Sequence, residues 1–209
     1  MRTRVAVVIE LWFINVVPRP RTITDERLLA AAAAVIEQVG PGFTLAQVAK
    51  EAGVAVGSVA QRFGSKAGLV RAMTELGRAQ AVERMRVAAE AEAGSPWAAV
   101  RAAVIAVFAD LDTVDGPGVA NHLAQLGADL ADPALRELLA EHYAACGGQL
   151  FELLRSAPRA ESAPKPATAA RVLLSAVNGA ALDWALRPDG KLTDRLGETV
   201  DAITKGWRA

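Results

Sequence analysis

Apolar residues in this chain recur at intervals of three and four, and almost nowhere at intervals of two. That spacing places one apolar stripe on each of a series of helices and leaves little material for a sheet. A first helix is expected over 25–39, with Thr24 as N-cap and Asp25 and Glu26 at the positive end of its dipole. Gly40-Pro41-Gly42 stops it. A second is expected over 45–52, opened by the capping-box spacing Thr44-Leu45-Ala46-Gln47 and closed by Gly53. A short third helix over 55–63 breaks at Gly64-Ser65, and Ser65 caps a fourth reaching 91.

The second half repeats the grammar. Ser95-Pro96 opens a helix to about 114, and Asp115-Gly116-Pro117-Gly118 reads as a turn. A helix over 119–126 follows, then Asp132-Pro133 opens another to 156 with the stripe Leu135, Leu139, His142, Cys146, Gln149 and Leu153. Residues 157–166 carry three prolines and read as a loop. Two helices, 167–186 and 193–207, are separated by Arg187-Pro188-Asp189-Gly190. The expected fold is therefore all-α.

Composition narrows this reading. The chain has 209 residues, 52% of them hydrophobic and 22% charged, which excludes a wholly disordered chain. No internal repeat points to a solenoid. One cysteine, Cys146, excludes an intramolecular disulfide framework and a multi-cysteine zinc module, and suits a reducing cytoplasm. The nearest approach to a membrane span is the apolar run 5–17, which is short and interrupted by Glu10 and Asn15. It reads as part of an N-terminal extension over 1–20, or as a start placed too far upstream. Charge is uneven beneath a formal total of zero. Up to Lys66 there are eight basic residues against five acidic, a net +3, which leaves −3 for the remainder. The basic part coincides with the chain's most informative motif.

That motif is the corner between helices two and three. Val48, Ala49, Val54, Val59 and Phe63 fall where two short helices pack on each other, and Ala49 and Gly53 allow close approach, which makes a helix-turn-helix. Around it stand Phe43-Thr44, then Val48-Ala49-Lys50-Glu51-Ala52-Gly53-Val54, then Gly57-Ser58-Val59, then Phe63-Gly64-Ser65-Lys66 and Leu69. This order resembles the DNA-binding domain of the TetR family of transcriptional regulators over about 22–81. The resemblance implies a three-helix DNA-binding domain at 21–81 and a helical effector-binding and dimerisation domain at 82–209. It further implies a homodimer on a palindromic operator of double-stranded DNA, released by a small-molecule effector.

Particular residues suit those roles. Lys66, near the start of helix four, is placed to reach a phosphate beside a helix N-terminus. Thr44, Leu45 and Ala46 open helix two, where a cap or a backbone amide can meet phosphate. Ala55, Val56, Gly57 and Ser58 form the leading end of the recognition helix, the part that enters the major groove first. Gln61 and Arg62 have the reach to read adenine and guanine. Where the family commonly carries an aromatic after the Val59 position and a histidine or tyrosine before Phe63, this chain has Ala60 and Arg62, so Arg62 is expected to supply the missing phosphate contact.

For the regulatory half, Ala176, Gly179, Ala180 and Trp184, with Val200 and Ile203 of the last helix, are expected at the dimer interface. His122, His142, Cys146, Gln149 and Asn178 are the polar residues on apolar stripes and the candidates for an effector pocket. Three such ligands on separate helices do not make a metal site, and none is expected. Trp97, Phe108 and Phe151 are expected in the core. No nucleotide loop, nucleophile elbow or carboxylate pair suggests an enzyme, and no cofactor is expected. The rival reading is a helical interaction protein that does not bind DNA.

Overall fold

The computed structural model describes residues 23–108 and 116–209. The extension 1–20 and the part of the fifth helix expected beyond 108 lie outside them. The described chain forms α1 (Asp25–Val39), a 3-10 turn (Gly40–Gly42), α2 (Leu45–Ala52), α3 (Val56–Phe63) and α4 (Lys66–Ala91). These are followed by α5 (Pro96–Ala106), α6 (Gly116–Ala131), α7 (Pro133–Ser156), α8 (Pro166–Leu186) and α9 (Leu192–Thr204).

The caps are those the sequence marks. Thr24 accepts from the Arg27 amide, Ser65 from Gly68, Ser95 from Ala98, and Asp132 from both Ala134 and Leu135. Thr44 and Gln47 form the full reciprocal box, with Gln47 Oε1 accepting from the Thr44 amide at 2.8 Å. Each arrangement satisfies amides that a helix start leaves without partners.

Boundaries differ from expectation at α5, α6 and α9, the last ending at Thr204 and not at 207. Gly116, Pro117 and Gly118 belong to α6 and not to a turn. Proline is tolerated there because first-turn amides donate to no intrahelical carbonyl. α6 also continues past Leu126 to Ala131, and the stop is the cap-and-proline pair Asp132-Pro133. α5 ends at Ala106, short of the expected 114.

Two separate apolar clusters organise the helices. The first joins α1, α2, α3 and the start of α4 around Leu28, Phe43, Val48, Val59 and Leu69. Leu135 and Leu138 of α7 also pack on it, although they stand in the regulatory half. The second cluster begins on α4 at Ala81 and Met85 and gathers α5 to α9 around Val100, Leu150, Leu173 and Leu196. α4 therefore serves both. α6 crosses back to α1, where Asn121 Nδ2 donates to the Glu37 carbonyl at 2.8 Å.

Candidate nucleic-acid interface and effector cavity

At the α2–α3 corner, Val48, Ala49 and Val59 are buried, and Val54 and Phe63 pack partly buried beside them. Gly53 closes α2 at φ +70°, ψ 36°, a left-handed conformation that costs side-chain-bearing residues about 1–2 kcal/mol. Ala55 caps α3 without a side-chain hydrogen bond. With Val59 turned inward, Ala55, Val56, Gly57, Ser58 and Gln61 are left exposed on the opposite side, and Val56 is 50% exposed. Val56, between Ala55 and Gly57, takes part in neither apolar cluster. Thr44 and Ala46 are exposed nearby, while Leu45 packs partly into the first cluster.

α3 is held against α4 by backbone contact. A Cβ on Gly68 would lie 2.0 Å from the Phe63 carbonyl oxygen, so only glycine permits this approach.

The two cations expected at phosphates are engaged within the chain. Lys66 Nζ donates to the Pro41 carbonyl at 2.5 Å and stands 4.3 Å from the Phe43 ring centroid. Its stem leads back to the 3-10 turn rather than out to solvent. Arg62 pairs with Asp25 and donates to the Ile23 carbonyl at 3.0 Å, which ties the end of α3 to the start of α1. Both links are long-range, and neither is visible in local spacing.

In the regulatory half, a cavity of about 240 Å³ lies between α6, α7, α8 and the end of α5. It brings together His122, His142, Cys146 and Asn178 with Val107, Phe108, Leu123, Leu126 and Tyr143. Gln149, two turns beyond His142 on α7, does not line it: the stripe runs on past the end of the cavity. Phe108 is buried yet forms part of the wall. Tyr143, adjacent to His142 but off the stripe, escaped the sequence reading. Its hydroxyl donates to Asn178 Oδ1 at 3.0 Å, and Asn178 Nδ2 donates to the Leu174 carbonyl at 2.7 Å. A lone tyrosine beside a histidine on an apolar helix was the available signal.

Among the described residues no Lys, Arg, Asp or Glu lines this cavity. Burial lowers the pKa of both histidines; Glu37 opposes this at His122, whereas Arg78 and Arg84 reinforce it at His142. Burial raises the Cys146 thiol and the Tyr143 phenol. The Cys146 sulfur lies 3.8 Å from His142 Nε2. Among the described residues no three His, Cys, Asp or Glu side chains are grouped to hold a metal ion. A shallower groove of about 600 Å³ between α7 and α8 is lined by Tyr143, Gly147, Gly148, Phe151, Arg171 and Ser175, so Phe151 also faces space.

Of the expected interface residues, Trp184 and Val200 are buried in the second cluster of their own chain. They face inward because α8 and α9 pack on each other through that side. Ala180 and Ile203 pack partly buried on the same cluster, Ala176 is half-buried and Gly179 exposed. The outward side of α8 instead carries Val172, Ser175, Gly179, Leu182 and Leu186, at alternating steps of three and four, with Leu186 73% exposed.

A compact three-helix unit with an exposed second corner helix, joined through a long helix to a helical domain with an apolar cavity, defines a helix-turn-helix regulator. Comparisons with known proteins make this specific. Residues 28–73 match the bacterial regulatory proteins of the tetR family, and residues 94–208 match the MftR C-terminal domain. The HTH-type transcriptional regulator BetI 2 of Chromohalobacter salexigens is 30% identical over 175 residues, covering 80% of each chain. A transcriptional regulator from Rhodococcus sp. Rha1 superposes with a TM-score of 0.70 at 25% identity, over 90% of this chain and 99% of its own. SmeT, the repressor of the Stenotrophomonas maltophilia multidrug efflux pump SmeDEF, shares the fold with a TM-score of 0.67 at 22% identity, over 89% and 91%. The chain belongs to the TetR family of DNA-binding transcriptional regulators.

Proposed function

We propose that this protein is a cytoplasmic repressor that binds a palindromic operator as a homodimer and is released by a small apolar molecule. The exposed leading face of α3 carries the reading. Ala55, Val56, Gly57 and Ser58 approach the major-groove floor, Val56 meets a thymine methyl, and Gln61 reads an adenine edge. Thr44 and Ala46 at the start of α2 offer backbone amides to phosphate. Lys66 and Arg62 act chiefly as ties that hold α3 in place. Half-sites then lie about one helical turn, ~34 Å, apart or somewhat more.

The domain division falls within α4, near 81, where its side chains pass from one apolar cluster to the other. Dimerisation uses the outward seam of α8, from Val172 to Leu186, since its three-four spacing suits packing against a second helix. The effector occupies the cavity at His122, His142, Cys146 and Asn178. Neutral histidines and an apolar wall favour an uncharged ligand with one hydrogen-bonding group.

Fluorescence anisotropy with labelled DNA flanking the protein's own gene tests the reading. Salt-sensitive binding is expected, and Gln61→Ala should weaken it by about 1–3 kcal/mol and relax sequence preference at one position. Binding to no such DNA, with wild type and Gln61→Ala indistinguishable, would favour a helical interaction protein instead.

A further inference from the structure

A second cavity, of about 210 Å³, lies where the DNA-binding domain meets α6. Ile36 of α1, Met73 and Thr74 of α4, and His122, Gln125 and Asp129 of α6 line it. It shares His122 and Leu126 with the cavity between α6, α7 and α8 and lies beside it along α6. We propose that it is a binding site for a small primary ammonium, with the Asp129 carboxylate as counter-ion and Gln125 Oε1 as a hydrogen-bond acceptor.

The lining is rich in acceptors. Gln125 is 9% exposed, and its Oε1 has no hydrogen-bond partner among the described residues. Its Nε2 donates to Asp129 Oδ1 at 2.6 Å. Asp129 is itself 8% exposed. The Thr74 hydroxyl spends its proton on the Val70 carbonyl at 3.1 Å, which leaves only lone pairs for a ligand. His122 is held neutral by burial, so one ring nitrogen is an acceptor. Among the described residues no ammonium or guanidinium lines the cavity. The nearby cation, Lys66, is committed to Pro41 and Phe43.

Buried acceptors without donors are unfavourable, and a buried carboxylate without a cation more so. Burial pushes the Asp129 carboxyl above its ordinary range, Asp132 adds to this, and the Gln125 hydrogen bond and Lys66 oppose it. A ligand bringing N–H donors and a positive charge answers both needs. Ile36 and Met73 then take a short alkyl tail. The volume lies below the ~300–1,000 Å³ of drug-sized pockets, which restricts the ligand to a few heavy atoms beyond its nitrogen. A quaternary ammonium supplies charge but no N–H, and leaves Gln125 Oε1 unsatisfied. A bound ammonium would touch α1, α4 and α6 together, and so stabilise one arrangement of the two domains.

The site stands independently of the operator reading and is tested without DNA. Full-length protein is titrated calorimetrically with n-butylammonium, tetramethylammonium and 1-butanol at fixed pH 7.5 and ionic strength. Saturable binding of n-butylammonium is expected, with the other two at least about tenfold weaker. Asp129→Asn should weaken it by about tenfold or more, and Gln125→Met by several-fold. Removing a buried charge leaves Asp129→Asn folded, which circular dichroism checks. In ¹⁵N spectra, n-butylammonium should shift the Gln125 side-chain amide and leave that of Asn178 in place. The proposal fails if n-butylammonium does not saturate, if tetramethylammonium binds equally well, if Asp129→Asn keeps wild-type affinity, or if Asn178 shifts and Gln125 does not.

Discussion

Replacing Lys66 by methionine keeps most of the stem and removes the ammonium. In the structure that ammonium donates to the Pro41 carbonyl and stands 4.3 Å from the centre of the Phe43 ring. A hydrogen bond from a charged donor contributes about 1.5–3 kcal/mol. A partly exposed cation–π contact adds about 0.5–1 kcal/mol. Water can reach the half-buried Pro41 once the lysine is gone, so the lower end applies and Lys66→Met should cost about 2 kcal/mol. For a chain of this length that lowers Tm by about 4–8 °C. Urea unfolding followed by circular dichroism measures the stability. Operator titrations across a range of salt measure the other possibility. If Lys66 is a tie, stability falls and the slope of log affinity against log salt is unchanged. If it contacts phosphate, the slope falls by about 0.9 for the lost contact while stability holds. A stability loss below about 0.5 kcal/mol together with a slope reduced by about one unit would mean that Lys66 contacts phosphate and does not tie α4 to the 3-10 turn.

Two further outcomes are expected. Gly68→Ala places a methyl group 2.0 Å from the Phe63 carbonyl oxygen, so α3 must shift; stability should fall by about 1–3 kcal/mol and operator affinity with it, and an unchanged Tm and affinity would mean that the α3–α4 contact is slack. Asp129→Asn should stabilise the protein at pH 7 and do nothing at pH 3. The Asp129 pKa is raised from 3.8 by burial, so the folded state holds this proton more tightly than the unfolded one, and stability is lost as pH rises from 3.8 through the raised value. Thermal melts of both proteins across that range check the sign, and a gain that persists at pH 3 would point to another cause.

Much of the secondary structure was legible because its signals are local. Thr24, Thr44, Ser65, Ser95 and Asp132 each act on amides two or three residues away, so short sequence windows contain the whole interaction. The α2–α3 corner was legible for the same reason, since Ala49, Gly53 and Val59 lie within eleven residues. The reading failed where two signals competed. Gly116-Pro117-Gly118 has turn composition, yet proline in a first helical turn is equally permitted, and composition alone does not choose between them.

Side-chain direction over long distances was not legible at all. Lys66 and Arg62 looked like free cations on a DNA-facing surface because their partners, Pro41, Asp25 and Ile23, stand 25, 37 and 39 residues earlier. An apolar stripe shows that the face bearing Trp184 and Val200 is covered, not by what; within the chain the second cluster covers them. The sequence alone determined that this chain is a run of capped amphipathic helices with a helix-turn-helix near its start, since those properties depend on neighbours within one or two turns. Only the tertiary structure decided which cations are committed internally, where the cavity between α6, α7 and α8 ends, and that α6 encloses a second acceptor-lined cavity against α1 and α4. Those outcomes depend on which helix faces meet, and packing across the whole chain sets that.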